Sequence, residues 1–203
     1  MKIVHNISVN LNGHYGSDEL IANRTLITTK KRLVNPENTI KFILKHKHLK
    51  PFEHGMLDFE LKIPIFLDRQ VVTYRTMVGS LGESGRYVSP EDMAYYLPKE
   101  EYEGMLLLDR MDINDTMDKV QKLYNRIYKP GNMRSREVAR NLLPQSLMTV
   151  RIFQINLRNF MHFLDERLEK SAQTEMRELA NRMLELALPI FPISLNGYVN
   201  KGE

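Results

Sequence analysis

Leu57-Asp58-Phe59-Glu60-Leu61-Lys62-Ile63-Pro64 alternates apolar and charged side chains with a period of two. Successive side chains of an extended chain point to opposite faces, so Leu57 to Ile63 specify a half-buried strand with one wet face. Pro64 can open a helix, because the N–H it lacks would have no intrahelical partner. Ile65 to Arg75 then read as helical, with Gln70, Thr73 and Tyr74 on one face. A strand handing over directly to a helix is the unit from which the rest of the fold is read.

Upstream, Asn35-Pro36-Glu37 puts a capping residue before proline, and Ile40, Phe42, Ile43 and Leu44 supply the apolar face of a short helix ending near His46 to His48. Downstream, Gly79, Gly82 and Gly85 break regularity, leaving a polar loop of Ser80, Glu83, Ser84 and Arg86. Met117, Val120, Tyr124 and Ile127 line one helical stripe, and Ser135 to Leu143 form a shorter helix stopped by Pro144. A second strand is expected around Leu147 to Phe153. Leu157, Phe160, Met161, Leu164 and Leu168 recur at helical spacing, as do Met176, Leu179, Ala180, Met183 and Ala187. The class expected is α+β, a mixed or antiparallel sheet built from the two strands and the N-terminal segment and flanked by helices. Neither repeat nor linker divides the chain, so 1–203 reads as a single domain.

The 203 residues are 42% hydrophobic and 27% charged, an ordinary globular composition. The cysteine count is zero, which excludes disulfides, thiolate metal sites and any thiol nucleophile. No apolar run approaches the roughly 20 residues that span a bilayer, and Met1 to Asn6 lead into polar sequence. A cytoplasmic protein, encoded by a cell or a virus, is the expectation. Lys plus Arg exceed Asp plus Glu by 29 to 25, which suits anionic partners such as nucleotides. The minimal residues of Rossmann, P-loop, zincin and hydrolase-elbow sites are missing. His46, His48 and His54 are interleaved with Lys47 and Lys50, whose charge opposes a metal cation, so no metal is expected. Arg75, Arg86, Arg140, Arg158 and Arg167 each lie beside a helix end, a glycine-containing loop or polar hydrogen-bonders. Guanidinium groups read phosphate and carbonyl edges bidentately, yet from spacing alone solvated surface charges are the commoner reading.

Lys50-Pro51-Phe52-Glu53-His54, Pro64-Ile65-Phe66-Leu67-Asp68-Arg69-Gln70 and Ser84-Gly85-Arg86-Tyr87 are followed by Ala139-Arg140-Asn141-Leu142-Leu143-Pro144. Then come Asn156-Leu157-Arg158, His162-Phe163-Leu164 and Arg167 with Ala172 to Arg177. In this order the pieces resemble the flavin-dependent thymidylate synthases, with coverage from about His46 to Arg177. The resemblance implies a homotetramer that binds FAD between subunits and converts dUMP to dTMP. Methylenetetrahydrofolate would supply the carbon and NADPH the reducing equivalents, with no membrane or nucleic-acid partner. The absent thiol fits, because that chemistry needs no enzymic nucleophile.

By that resemblance Gln70, Ser84, Arg86, Arg140 and Arg167 correspond to substrate-binding positions, and Arg167 to the catalytic group that stabilises negative charge on the pyrimidine. Arg75, Asn156, Arg158 and His162 correspond to flavin contacts, with His48 a further candidate. The chain also departs from the pattern. Thr73-Tyr74-Arg75 stands where the family has Arg-His-Arg, and the loop from Arg75 to Arg86 is one residue longer, so that Gly82 or Glu83 takes the place of a family glutamate. These departures leave open a hydroxymethyl in place of a methyl product, or a non-catalytic nucleotide- or nucleic-acid-binding relative. Tyr74 would either stack on an isoalloxazine ring or pack in the core.

Overall fold

Strand β3 (Met56–Pro64) is the alternating stretch extended by one residue at each end, and Leu57, Phe59, Leu61 and Ile63 on its apolar side are fully buried. A computed structural model of the chain describes residues 2–29, 35–75, 78–84 and 94–199. Helix α3 (Ile65–Val71) follows β3 at once but stops sooner than the expected Arg75. Val71, Val72 and Thr73 are β-branched in succession, which disfavours further helical turns. Thr73 and Tyr74 therefore lie beyond the helix and share no helical face with Gln70; the Tyr74 N–H closes the turn on the Val71 carbonyl at 3.2 Å.

Two compact units make up the chain. One comprises Ser8–Leu61, Val71–Leu81 and the chain from Ile152 onward. It carries a four-stranded sheet in the order β2-β3-β6-β4, from β2 (Ser8–Tyr15), β3, β6 (Met148–Asn156) and β4 (Val78–Gly82). The second expected strand is thus present and runs on to Asn156, with Phe153 and Ile155 buried. β4 corrects the expected polar loop. Its glycines serve close approach rather than a turn: a Cβ at Gly79 would lie 3.2 Å from the Gln154 side chain, and one at Gly82 would lie 2.7 Å from Arg151 Nη2.

Helices α1 (Asp18–Thr25), α2 (Pro36–Lys45), α7 (Leu157–Arg167), α8 (Thr174–Ala187) and α9 (Pro192–Val199) belong to the same unit. α1 packs on α2, α2 on α9, and α8 on both α7 and β2. Two asparagines start their helices as caps: Asn35 accepts from the Asn38 N–H at 3.0 Å, and Asn156 from the Asn159 N–H at 2.8 Å. The buried Asp18 crosses to α9, accepting from Ile193 N at 2.6 Å, Ser194 N at 3.1 Å and the Ser194 hydroxyl.

The other unit comprises Met1–Ile7, Lys62–Gln70 and Gly82–Arg151. Here β1 (Lys2–Val4) pairs in parallel with β5 (Ala94–Tyr96), so the N-terminal segment contributes to two separate sheets. Helices α4 (Lys99–Gly104), α5 (Leu107–Ile127) and α6 (Met133–Ala139) complete it, around Tyr124, Ala139 and Leu147. α5 begins ten residues before its apolar stripe, and α6 gives way to a 3₁₀ turn at Arg140–Leu142 ahead of Pro144. Among the described residues no helix is long and apolar enough to cross a membrane.

Candidate active site

In the unit that holds α3, a cleft of about 550 Å³ is lined in part by Asp68, Arg69, Glu83, Arg140, Asn141 and Gln145. The Ile65 N–H bonds the Leu147 carbonyl at 2.9 Å and the Phe66 N–H bonds the Gln145 carbonyl at 3.0 Å. The first turn of α3 thereby fixes the wall that follows Pro144. Across the cleft Glu83 is held by its own backbone, its N–H on the Val150 carbonyl at 2.8 Å, while its carboxylate accepts from the Val150 N–H at 3.3 Å.

Asp68 does not contribute a free charge. Arg151 takes its carboxylate in a bidentate grip, Nη2 to Oδ2 at 2.7 Å and Nε to Oδ1, with both side chains largely shielded from water. The guanidinium lies on Gly82, where a side chain would strike it. A Cβ at position 82 would meet that guanidinium, and Glu83, the next residue, lines the cleft. Arg69 and Arg140 remain exposed and without an acidic partner among the described residues, two cations facing an open cleft. Gln70 and Ser84 are half-buried in the same unit but do not line the cleft. Arg86 lies outside the described residues.

In the unit that holds α7, a crevice of about 290 Å³ is lined by Thr73, Tyr74, Arg75, Asn159, His162 and Glu166. α7 presents His162 and Glu166 one turn apart, with Nε2 to Oε1 at 3.5 Å. The Tyr74 hydroxyl donates to Glu166 Oε2 and accepts from Arg167 Nε at 2.7 Å, and the Arg167 guanidinium sits 5.3 Å from the Tyr74 ring centroid. The ring stands edge-on to the buried Phe163 at 5.1 Å. Burial first, and then the bond given to Glu166, push the Tyr74 phenol up to about 12 against the opposing pull of Arg167. Tyr74 therefore both packs on the core and faces the crevice, and at neutral pH it is a protonated donor.

Of the five expected flavin contacts, Arg75 and His162 meet in this crevice. Arg75 is exposed and makes no hydrogen bond or ion pair among the described residues. Asn156 is fully buried at the start of the helix that carries His162, and its Nδ2 has no partner among the described residues. Arg158 turns instead to Glu53, at 2.5 Å. His48 is exposed and pairs its ring with His46 at 6.1 Å, away from the crevice lining. Sequence reasoning assigned no part to Asp68, Arg151 or Glu166. The periodicity of α7 does put Glu166 one turn after His162, but nothing local in the sequence signals that Arg151 reaches Asp68.

The sequence profile of the family described as thymidylate synthase complementing protein matches residues 9–193. A flavin-dependent thymidylate synthase of Kosmotoga olearia is 31% identical, covering 91% of this chain and 86% of that protein. One from Dictyostelium discoideum is 30% identical over 84% of this chain and 60% of its own length, and one from Treponema denticola is 33% identical over 76% and 64%. Crystal structures of the UMP/dUMP methylase PolB from Streptomyces cacaoi, bound with 5-Br UMP and with 5-Br dUMP, share the fold. Their TM-scores are 0.80 and 0.84 at 22% identity, over 99% and 98% of this chain and 97% of theirs. With a thiol-free composition, the ordered motifs and these matches, the chain belongs to the thymidylate synthase complementing protein family, the flavin-dependent thymidylate synthases.

Proposed function

We propose that this chain is a flavin-dependent thymidylate synthase that converts dUMP to dTMP, with FAD as cofactor, methylenetetrahydrofolate as carbon donor and NADPH as reductant. The observation that carries the reading is Arg167, whose guanidinium is held by the Tyr74 hydroxyl at 2.7 Å at the edge of a crevice bearing Arg75 and His162. A guanidinium fixed before substrate arrives stabilises negative charge on a pyrimidine without reorganising during the reaction. The absence of cysteine agrees with a route that needs no attack by an enzyme thiol.

The residues at the crevice fit a dinucleotide flavin in kind. Arg75 offers an exposed guanidinium for phosphate, His162 an imidazole and Tyr74 an aromatic edge, while Asn156, buried at the start of the helix that carries His162, keeps an Nδ2 with no partner among the described residues. Bound there, FAD would supply the hydride chemistry that side chains lack. Arg75, Asn156 and His162, with Arg158 and His48 from the family pattern, would hold and orient it. Arg158 would reach the cofactor while shared with Glu53. For the nucleotide, Arg140 would bind phosphate from the open cleft, Gln70, Ser84 and Arg86 would hydrogen-bond the substrate, and Arg167 would polarise the pyrimidine ring.

Assembly as a homotetramer belongs to the same proposal, and light scattering of the purified protein tests it. The decisive experiment is mass spectrometry of the product formed from dUMP, methylenetetrahydrofolate, NADPH and the FAD-loaded protein. A product heavier than dUMP by one CH₂ unit is expected; one heavier by CH₂O would reassign the enzyme as a hydroxymethylase, and no product would overturn the reading.

A further inference from the structure

We propose that Tyr74 is a positioning residue for Arg167: its hydroxyl occupies the Glu166 carboxylate and so keeps the guanidinium free to face the nucleotide. The inference rests on the reading of Arg167 given above. Three groups meet at one phenolic oxygen. It gives its proton to Glu166 Oε2 and receives the Arg167 Nε–H at 2.7 Å, while Arg167 Nη2 forms a long ion pair with the same carboxylate oxygen at 3.8 Å, beyond hydrogen-bond distance. Adjacent on α7, Glu166 and Arg167 would otherwise be free to close from this ion pair into a direct hydrogen-bonded contact between two ionised groups, whereas each bond through the phenol has only one ionised partner. Such a pair would turn the guanidinium's best donors away from any substrate.

Tyr74 is placed for this task by contacts outside the polar cluster. The Tyr74 N–H closes a turn on Val71, its ring stands against Phe163, and the Arg167 cation lies over the ring face. A further titratable neighbour among the described residues is His162, edge-on to the ring at 6.2 Å and 3.5 Å from the far oxygen of Glu166, so the carboxylate is flanked on both sides. The family pattern has histidine at this position. A phenol donates and accepts through one atom, whereas a neutral imidazole splits those roles between two nitrogens pointing apart. The tyrosine is therefore a working replacement rather than a lost contact.

The test compares wild type, Tyr74→Phe, and Tyr74→Phe combined with Glu166→Gln, all loaded with FAD. Phenylalanine keeps the contact with Phe163, and circular dichroism checks the fold. Release of tritium from C5 of labelled dUMP is expected to fall about tenfold in kcat for Tyr74→Phe, with KM for dUMP changed less than about threefold and the flavin absorbance retained. The double variant, with no carboxylate left to capture Arg167, is expected to recover to within about threefold of wild type. Wild-type kcat in Tyr74→Phe, or a double variant no better than the single one, would overturn the inference.

A second readout does not depend on turnover. The ¹⁵N Nε–H signal of Arg167, assigned by its loss in Arg167→Lys, is expected to exchange slowly with water in wild type and in Glu166→Gln, and about tenfold faster in Tyr74→Phe. Equal exchange in wild type and Tyr74→Phe, or fast exchange in Glu166→Gln, would overturn the inference. Slow exchange in a wild type that leaves dUMP unchanged would uphold it and overturn the function alone.

Discussion

At the scale of single residues, the pair between Asp68 and Arg151 shows why spacing alone could not sort the arginines. Arg151 occupies a strand position and looks like any solvent-facing charge in the sequence, yet its guanidinium is shielded, bidentate and laid across Gly82. Arg140, by contrast, is exposed. Removing one partner from a shielded pair strands the other's charge, whereas removing both leaves none to compensate. Asp68→Ala should therefore lower the unfolding free energy by about 2–4 kcal/mol. Asp68→Ala with Arg151→Met should cost clearly less than the single change, as read from urea midpoints at constant slope. Equal losses would mean that the pair's charge is solvated after all. Gly82→Ala, whose methyl would meet Arg151 Nη2, should cost about 1–3 kcal/mol by displacing that guanidinium.

At the scale of elements, legibility followed from how local the cause was. β3, α7 and α8 announce themselves through unbroken apolar periodicity, and the asparagine caps of α2 and α7 sit where short-range chemistry puts them. β4 was missed because its reason for being extended is pairing with β6, and its glycines are explained only by the side chains that cross them. The end of α3 is hard to read in the sequence because a run of β-branched residues stops it more quietly than a proline would. The same displacement of Tyr74 from the helix hid the cluster with Glu166 and Arg167 from sequence reasoning. The cap on α9 was equally invisible, since its donor helix and its acceptor lie at opposite ends of the chain. Asp18→Ala leaves the Ile193 and Ser194 N–H groups without that acceptor. It should cost about 1–3 kcal/mol, with Asp18→Asn milder, by thermal unfolding. An unchanged Tm in Asp18→Ala would sink this account of α9.

At the scale of the whole molecule, the buried phenols set an alkaline limit. Burial is the leading cause that raises Tyr74 and Tyr95 from 10.0 to about 12, and it also raises Tyr124 and Tyr198, the latter aided by its bond to Asp165. Below pH 10 both folded and unfolded chains hold these protons, so stability does not depend on them. As pH rises from 10 toward 12 the unfolded chain gives them up first, binds fewer protons than the native state, and is favoured. Urea midpoints should fall across that window, and Tyr198→Phe should make the fall shallower; an identical slope would remove Tyr198 from the account. The contact between Asp18 and α9 also has a temporal meaning. Its partners are separated by 175 and 176 positions along the chain, so a nascent polypeptide leaving the ribosome carries Asp18 unanswered until α9 has followed it out. That unit closes only once Ile193 and Ser194 have emerged, so this fastening cannot belong to early elongation.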